Sequence, residues 1–495
     1  MKNPSFETLD PEDWEETREL LHRAVDDAVN YLSTVGDGPV WQDVPEEVRE
    51  RLRGAAPRHP SQPDEVYEEF KRDIMPYPMG NQHPRFWAWY MGNGTVMGAL
   101  GDFLAAVMNP NLGGANHVAP LVERQVVQWL RDMLAMPEDT SGLLTSGGSA
   151  ANLIGLTVAR NACEGLNIRH AGVRAAPGDL RCYASTEVHS CHQKAVETLG
   201  LGSEGLQKIP VLDDYTMDID ALREQLALDR EAGRIPFCVI ANAGTINTGA
   251  VDDMEALADL CAGENLWFHV DGAIGAVAVL ADDIRAQLSG MERADSIALD
   301  LHKWMHIPFE AGCALVRDAD AHHAAFSLTP EYLAREHKAR GLAAGELWFS
   351  DFGLQLTRQF RALKIWMSVK EHGLDRFGRM IARNVKQAHY LGKLIDQEPS
   401  LQLMAPIGLD IVCFRFNPDP SAPGKLERLN RNILSELHER GIAAPSYTTL
   451  NGEYCLRVAI ANHRSRDSDF DALITAILDI GQELSTAIHE SSPAA

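Results

Sequence analysis

The chain is short of positive charge: 45 lysines and arginines stand against 70 aspartates and glutamates, for a formal net charge of −25. A surface of that sign repels phosphate backbones and anionic lipid, so neither nucleic acid nor a membrane is an expected partner. No uninterrupted apolar run approaches the roughly 20 residues a bilayer-spanning helix needs. The opening stretch MKNPSFETLDPEDWEETREL lacks the basic and apolar regions of a secretory signal. The eight cysteines form no CxxC pair and mostly sit in apolar runs. That pattern predicts buried free thiols and a cytoplasmic protein rather than a disulfide framework. The 18 histidines show no HExxH or comparable spacing, and no metal is expected. Internal repeats, low-complexity tracts, a Walker A loop and a full GxGxxG fingerprint are missing as well, which argues against nucleotide binding.

What is present describes an ordinary globular chain. With 495 residues, 45% hydrophobic and 23% charged, it exceeds the usual size of one core, so two or more packed units are expected. Apolar spacing predicts helices over 12–35, 45–53 and 63–73. These have too little chain between them for a core of their own, so they pack on the main body or on a partner subunit. Residues 83–95, HPRFWAWYMGNGT, are dense in aromatics and broken by Gly92-Asn93-Gly94. They are expected to form a loop lining a pocket, with Trp87, Trp89 and Tyr90 as candidate substrate contacts. After an amphipathic helix over 118–134, residues 142–316 alternate strand-like and helical stretches, the pattern of a mostly parallel sheet covered on both faces. A polar segment (329–345) then precedes helices over 354–372 and 377–397. Residues 401–484 read strand, helix, strand, helix, a small α+β domain. The expected divisions are an N-terminal helical arm (1–85), a large domain (86–385) and a small C-terminal domain (386–495).

The chemistry concentrates in 266–304. Two apolar runs, LWFHVDGA and DSIALD, end on Asp271 and on His302-Lys303. Ligands of open α/β sheets bind outside the carboxyl ends of parallel strands. An acid and a lysine delivered there suit the two poles of a pyridoxal phosphate (PLP) ring, which needs an amine for its aldehyde and a carboxylate for its pyridinium nitrogen. Gly147, Gly148 and Ser149 follow another strand and open a helix whose free N–H groups can cup a phosphate. His189, after the strand RCYAST, can stack on a planar ring, and Thr245 can bond a ring substituent. Asn247 and Asp252 look like turn formers. Each feature alone has a plain structural explanation, as a cap, a turn or a surface ion pair. Their coincidence at strand ends favours a cofactor site.

These residues carry a resemblance. HPRFWAWY, LVERQVVQWL, LLTSGGSAANL, STEVHSCHQKA, NAGTINTGAVDD, LWFHVDGA and DLHKW together resemble the group II PLP-dependent decarboxylases, the family of aromatic-L-amino-acid and glutamate decarboxylases. The resemblance implies an α/β chain of PLP fold type I, like aspartate aminotransferase, with a mostly parallel seven-stranded sheet. It also implies a homodimer with its active site at the subunit interface. By position, Lys303 is the Schiff-base lysine, Asp271 the partner of the ring nitrogen and His189 the stacking histidine. Ala273 lies on the opposite ring face, Gly148, Ser149 and His302 belong to the phosphate shell, and Asp300, among the cofactor-binding residues, stands where an asparagine often helps hold the phosphate. The family's catalytic loop falls on LTPEYLAREHKARG and its tyrosine on Tyr332, which favours reprotonation after carbon dioxide leaves. Asp300, Ile246 and Ile274 depart from the aromatic-acid enzymes, where asparagine, threonine and tyrosine are common. The implied activity is α-decarboxylation of an L-amino acid, aromatic in view of Trp87, Trp89 and Tyr90. The alternatives are an acidic amino acid, which Arg85 could suit, release of an aldehyde instead of an amine, or PLP binding without turnover.

Overall fold

The computed structural model describes residues 8–490 apart from 164, 329–340, 346–347, 420–423 and 425. Seven strands build the main sheet: β1 (Ser141–Thr145), β2 (Leu180–Ser185), β3 (Leu206–Ile209), β4 (Ile235–Asn242), β5 (Trp267–Asp271), β6 (Ser296–Asp300) and β7 (Gly312–Val316). Their order is β1-β7-β6-β5-β4-β2-β3, and only β7 is reversed, pairing antiparallel with both β1 and β6. Strands β2, β6 and β7 are buried along their whole length, which explains why they read as continuous apolar runs rather than alternating ones. The parallel sense sends Thr145, Ser185, Asn242, Asp271 and Asp300 to one edge. This is the mostly parallel seven-stranded sheet expected.

The smaller sheet is antiparallel throughout, in the order β10-β11-β9-β8, with β8 (Leu401–Leu403), β9 (Ile411–Phe416), β10 (Ser446–Leu450) and β11 (Glu453–Ala459). The stretch LQLMAPIGLDIVCFRF, expected as one strand, is two: the chain turns between them, with Leu409 at φ +46°. Helices Leu426–Glu439 and Asp467–Glu490 cover this sheet around Phe414, Ile433, Leu473 and Ile477. The helix Leu374–Gln397 is continuous, so the boundary expected at 385 falls inside it.

The helix expected over 354–372 starts only at Arg361. The preceding segment is held outside the helix by Arg358, whose N–H donates to Asn111 Oδ1 (2.9 Å) and whose guanidinium reaches inward to Glu123. At the N-terminus, α1 (Trp14–Ser33), α2 (Glu46–Arg51) and α3 (Pro63–Asp73) form as the spacing predicts, but α1 buries no residue. A helix not expected, α4 (Val96–Met108), presents Val96, Leu100, Phe103 and Val107 outward, while Gly101 sits against Lys364, where a Cβ would lie 2.7 Å from its Cα. Next come α5 (Val118–Met133) and α6 (Gly148–Asn161). All eight cysteines are free thiols. Among the described residues no helix is long and apolar enough to cross a membrane.

Candidate active site

The strand register places the acid and the lysine. Asp271 closes β5 opposite Ala298, and β6 runs on to Asp300 before a turn brings Lys303 back over the strand ends. Lys303 Nζ lies 3.0 Å from Asp300 Oδ2. Asp271 and Lys303 line one cavity of about 630 Å³, together with Gly147, Gly148, Ser149, His189, Ala273, Asp300 and His302.

At one pole, the N-cap of α6 is Gly147 (φ +157°, ψ 179°), a backbone that side chains disfavour. The Gly148 N–H donates to Asp300 Oδ1 at 2.6 Å. A Cβ on Gly148 would lie 2.9 Å from Asp300 Oδ2 and 3.1 Å from Ala273 Cβ, so glycine keeps this corner open. His302 Nδ1 accepts the Ala311 N–H (3.1 Å), which leaves the proton of a neutral ring on Nε2, facing Asp300 at 3.7 Å. Burial pulls its pKa down, opposed by Asp300.

His189 caps the helix Ser190–Thr198: its Nδ1 accepts the Cys191 N–H at 3.1 Å, so its Nε2–H is available to the cavity. Cap and cavity wall are therefore one residue. Burial lowers its pKa, with Asp271 acting the other way.

At the opposite pole, Asp271 Oδ1 accepts the Ala273 N–H (3.1 Å) and Oδ2 lies 2.8 Å from His192 Nε2. Burial alone would raise the carboxyl's pKa. The bond and charge of His192, with the charge of Lys303 and the Ala273 N–H, outweigh it and hold the group well below the ordinary carboxylate range. His192 was not anticipated from the sequence. Its signal was its spacing, three residues after His189 and so about one helical turn on. It is fully buried, and its Nδ1 has no hydrogen-bond partner among the described residues. Beside it, with ring centroids 6.1 Å apart, His269 bonds Ser296 Oγ (2.7 Å) and Asn152 Oδ1 (2.8 Å). Buried polar contacts thus tie α6, β5, β6 and the His189 helix together behind the acid.

Several expected contacts lie elsewhere. Trp87 is buried in the core of the small sheet, stacked on Phe470 at 4.9 Å, with its Nε1 donating to Ser465 Oγ. The cause is backbone pairing: Trp87 N–H bonds Ala444 O, and Trp87 O accepts from Ala459, so the segment runs beside that sheet. Tyr90 is buried too, edge-on to Trp304 and donating to Asp410 Oδ2 at 2.8 Å. Trp89 is 55% exposed at φ +54°. None of the three lines the cavity. Nor does Thr245, whose hydroxyl lies 2.9 Å from Thr248 Oγ1 and accepts the Ala250 N–H within its own turn. Tyr332 lies outside the described residues. Ile246, Ile274, Phe309 and Glu310 do line the cavity.

The Tyr90 contact carries a prediction. Asp410 is fully buried, and burial pushes its carboxyl up to about 7, against the Tyr90 hydroxyl and the Arg457 charge. The folded protein therefore holds a proton there that the unfolded chain releases near the ordinary value of 3.8. Stability from this group is complete below that value and is lost as pH rises through about 7. Asp410→Asn is expected to raise the urea midpoint at pH 8 and to leave it nearly unchanged at pH 4; equal shifts at both pH values would show that Asp410 does not titrate this way.

Comparison with known proteins decides the class of the site. A family model described as the pyridoxal-dependent decarboxylase conserved domain matches residues 45–417. The chain belongs to this family. It is 33% identical to an aromatic-L-amino-acid decarboxylase of Bacillus atrophaeus over 95% of this chain and 96% of that one. It is 32% identical to a phenylacetaldehyde synthase of Arabidopsis thaliana, over 93% and 94%. Among solved structures, an Oryza sativa TDC with PLP and tryptamine superposes with a TM-score of 0.88 at 27% identity, over 96% of this chain and 100% of that one. The protein is thus a PLP-dependent amino-acid decarboxylase of fold type I. Its site fits the cofactor: an ionised buried carboxylate and an amine share one cavity with a helix start that glycine keeps clear.

Proposed function

We propose that this decarboxylase acts on an aromatic L-amino acid and releases carbon dioxide and the corresponding amine. The observation that carries the reading is the shared cavity of Lys303 and Asp271, with Asp271 held ionised by His192. Lys303 would hold the cofactor's aldehyde and Asp271 its ring nitrogen. Gly148, Ser149 and His302 would hold its phosphate, between the flanking surfaces of His189 and Ala273. When bound, the cofactor supplies a protonated ring that accepts the electron pair left as the carboxylate departs. Asp271 would keep the proton on that ring nitrogen, because a carboxylate held well below its ordinary pKa does not take it up. The His189 Nε2–H is free to orient the substrate carboxylate, and Tyr332 would deliver a proton to Cα. Ile246, Ile274 and Phe309 give the cavity an apolar wall suited to an aromatic side chain. The names of the relatives, which include tryptophan and tyrosine decarboxylases, support the same substrate class.

The test is an amino-acid panel on PLP-loaded protein with carbon dioxide, amine and peroxide readouts. Tryptophan, tyrosine, phenylalanine or a hydroxylated form should give carbon dioxide and amine in equal amounts without peroxide. Turnover of glutamate or aspartate alone would reject the substrate class. Peroxide with an aldehyde would reject the amine product.

We also propose a homodimer in the cytoplasm. Support for the dimer is the set of large apolar side chains left exposed on α1 (Leu21, Val25, Val29), on α3 (Val66, Phe70) and its C-cap Ile74, and on α4 (Leu100, Phe103, Val107), the kind of surface that a partner covers. Unpaired thiols support the location. The double substitution Leu100→Glu/Phe103→Glu is expected to yield monomers by light scattering and to abolish turnover. A dimeric, active variant would remove α4 from the interface.

A further inference from the structure

A second cavity, of about 390 Å³, shares no lining residue with the first. Its wall carries Arg376, Arg379, Arg383, His306, His372 and His463 and no carboxylate, in a chain whose net charge is −25. The three arginines stand at i, i+3 and i+7 of the helix Leu374–Gln397, one face of adjacent turns, where like charges destabilise a helix unless something offsets them. Little protein does so. Arg376 Nη1 lies 3.4 Å from His372 Nδ1, Arg383 Nη2 donates to the His463 carbonyl at 2.6 Å, and Arg379 has no hydrogen bond or ion pair among the described residues. The carboxylate contact at this wall is Glu371 on His372, at 3.3 Å.

His306 supplies the second observation. It is fully buried at φ +52°, edge-on to His463 at 4.9 Å, and neither ring nitrogen has a hydrogen-bond partner among the described residues. An imidazole always has at least one N–H to donate, and leaving it unmet in the interior is costly. A buried donor beside a row of guanidinium groups asks for one kind of guest.

We propose that this cavity binds a multivalent oxyanion, of phosphate or polycarboxylate chemistry, held by Arg379, Arg383 and the His306 ring. Guanidinium groups bond such oxygens through charge-assisted, often bidentate contacts. The cavity has a telling neighbour: the His306 backbone N–H donates to the Lys303 carbonyl at 3.1 Å, so the guest would sit behind the turn that carries the lysine.

The experiment is calorimetric titration of the PLP-loaded enzyme with pyrophosphate and, separately, with citrate, at ionic strength held constant with sodium chloride. Wild type should bind at least one of them saturably, and whichever binds identifies the chemistry. Arg379→Gln/Arg383→Gln, at exposed helix positions, should weaken that binding on the order of tenfold or more while leaving turnover without the anion unchanged. His306→Leu should weaken it with the arginines intact. No saturable heat from either anion, or a double variant that titrates like wild type, overturns the proposal. The heat is read without substrate, so its failure is separate from any failure of the substrate assignment.

Discussion

Asp271→Asn is expected to lower kcat by on the order of a thousandfold or more, while the purified protein still carries PLP. An amide cannot hold a positive charge on the ring nitrogen, and without that charge the ring accepts electrons poorly. The Asp271 carboxylate would do so, because its surroundings keep it ionised despite its burial. His192 Nε2 at 2.8 Å is the largest of the contributions that do this. His192→Leu removes that donor from a buried acceptor, so burial then raises the Asp271 pKa. Activity should fall about 10- to 100-fold, as is usual when the group orienting an active-site ligand is lost. The acid limb of the pH–rate profile should move to higher pH. His192→Gln can still donate to Oδ2 and should recover part of the loss. If His192→Leu keeps both wild-type kcat and the wild-type pH profile, the histidine has no part in holding the acid.

Arg358→Met is expected to destabilise the protein by about 3–5 kcal/mol, the cost of leaving a buried carboxylate without its partner. Arg358 and Glu123 are almost wholly buried, with Nη2–Oε1 at 2.5 Å and Nη1–Oε2 at 3.0 Å. The same guanidinium donates to the carbonyls of Leu112 (3.1 Å) and Leu144 (2.7 Å), and Glu123 Oε1 accepts the Leu144 N–H (3.1 Å). Leu144 belongs to β1, the strand that leads directly into Gly147 and Gly148, so PLP retention should fall along with the urea midpoint. Glu123→Leu/Arg358→Met removes both charges and should restore much of the stability. A double variant as unstable as Arg358→Met would mean that the loss comes from packing, not from the stranded charge.

The site was legible where chemistry sits at the end of a strand. Asp271, Lys303, His302, Gly147, Gly148, Ser149 and His189 could be picked out because apolar runs stop at them, and one cavity gathers all seven. The aromatic segment misled for the opposite reason. Trp87 and Tyr90 have the composition of a pocket wall, but what a ring touches depends on which sheet its backbone pairs with. Here that partner comes from residues more than 350 positions away, Ala444 and Ala459. The same holds for Arg358: nothing local shows that it stays outside the following helix to meet Glu123, 235 positions earlier. His192 lay in plain view but had no local mark to separate it from an ordinary helical residue.

By itself the sequence determined the parallel sheet, the strand-end placement of the acid and the lysine, and the decarboxylase family, since each is written in residues adjacent along the chain. Apolar period, turn glycines and motif order are local properties. Only the tertiary structure decided which histidine supports Asp271, which aromatic rings leave the site for the core, and that three arginines share a cavity with an imidazole that has no partner among the described residues. Those depend on distances between segments far apart in the chain, which strand register and packing set and composition does not.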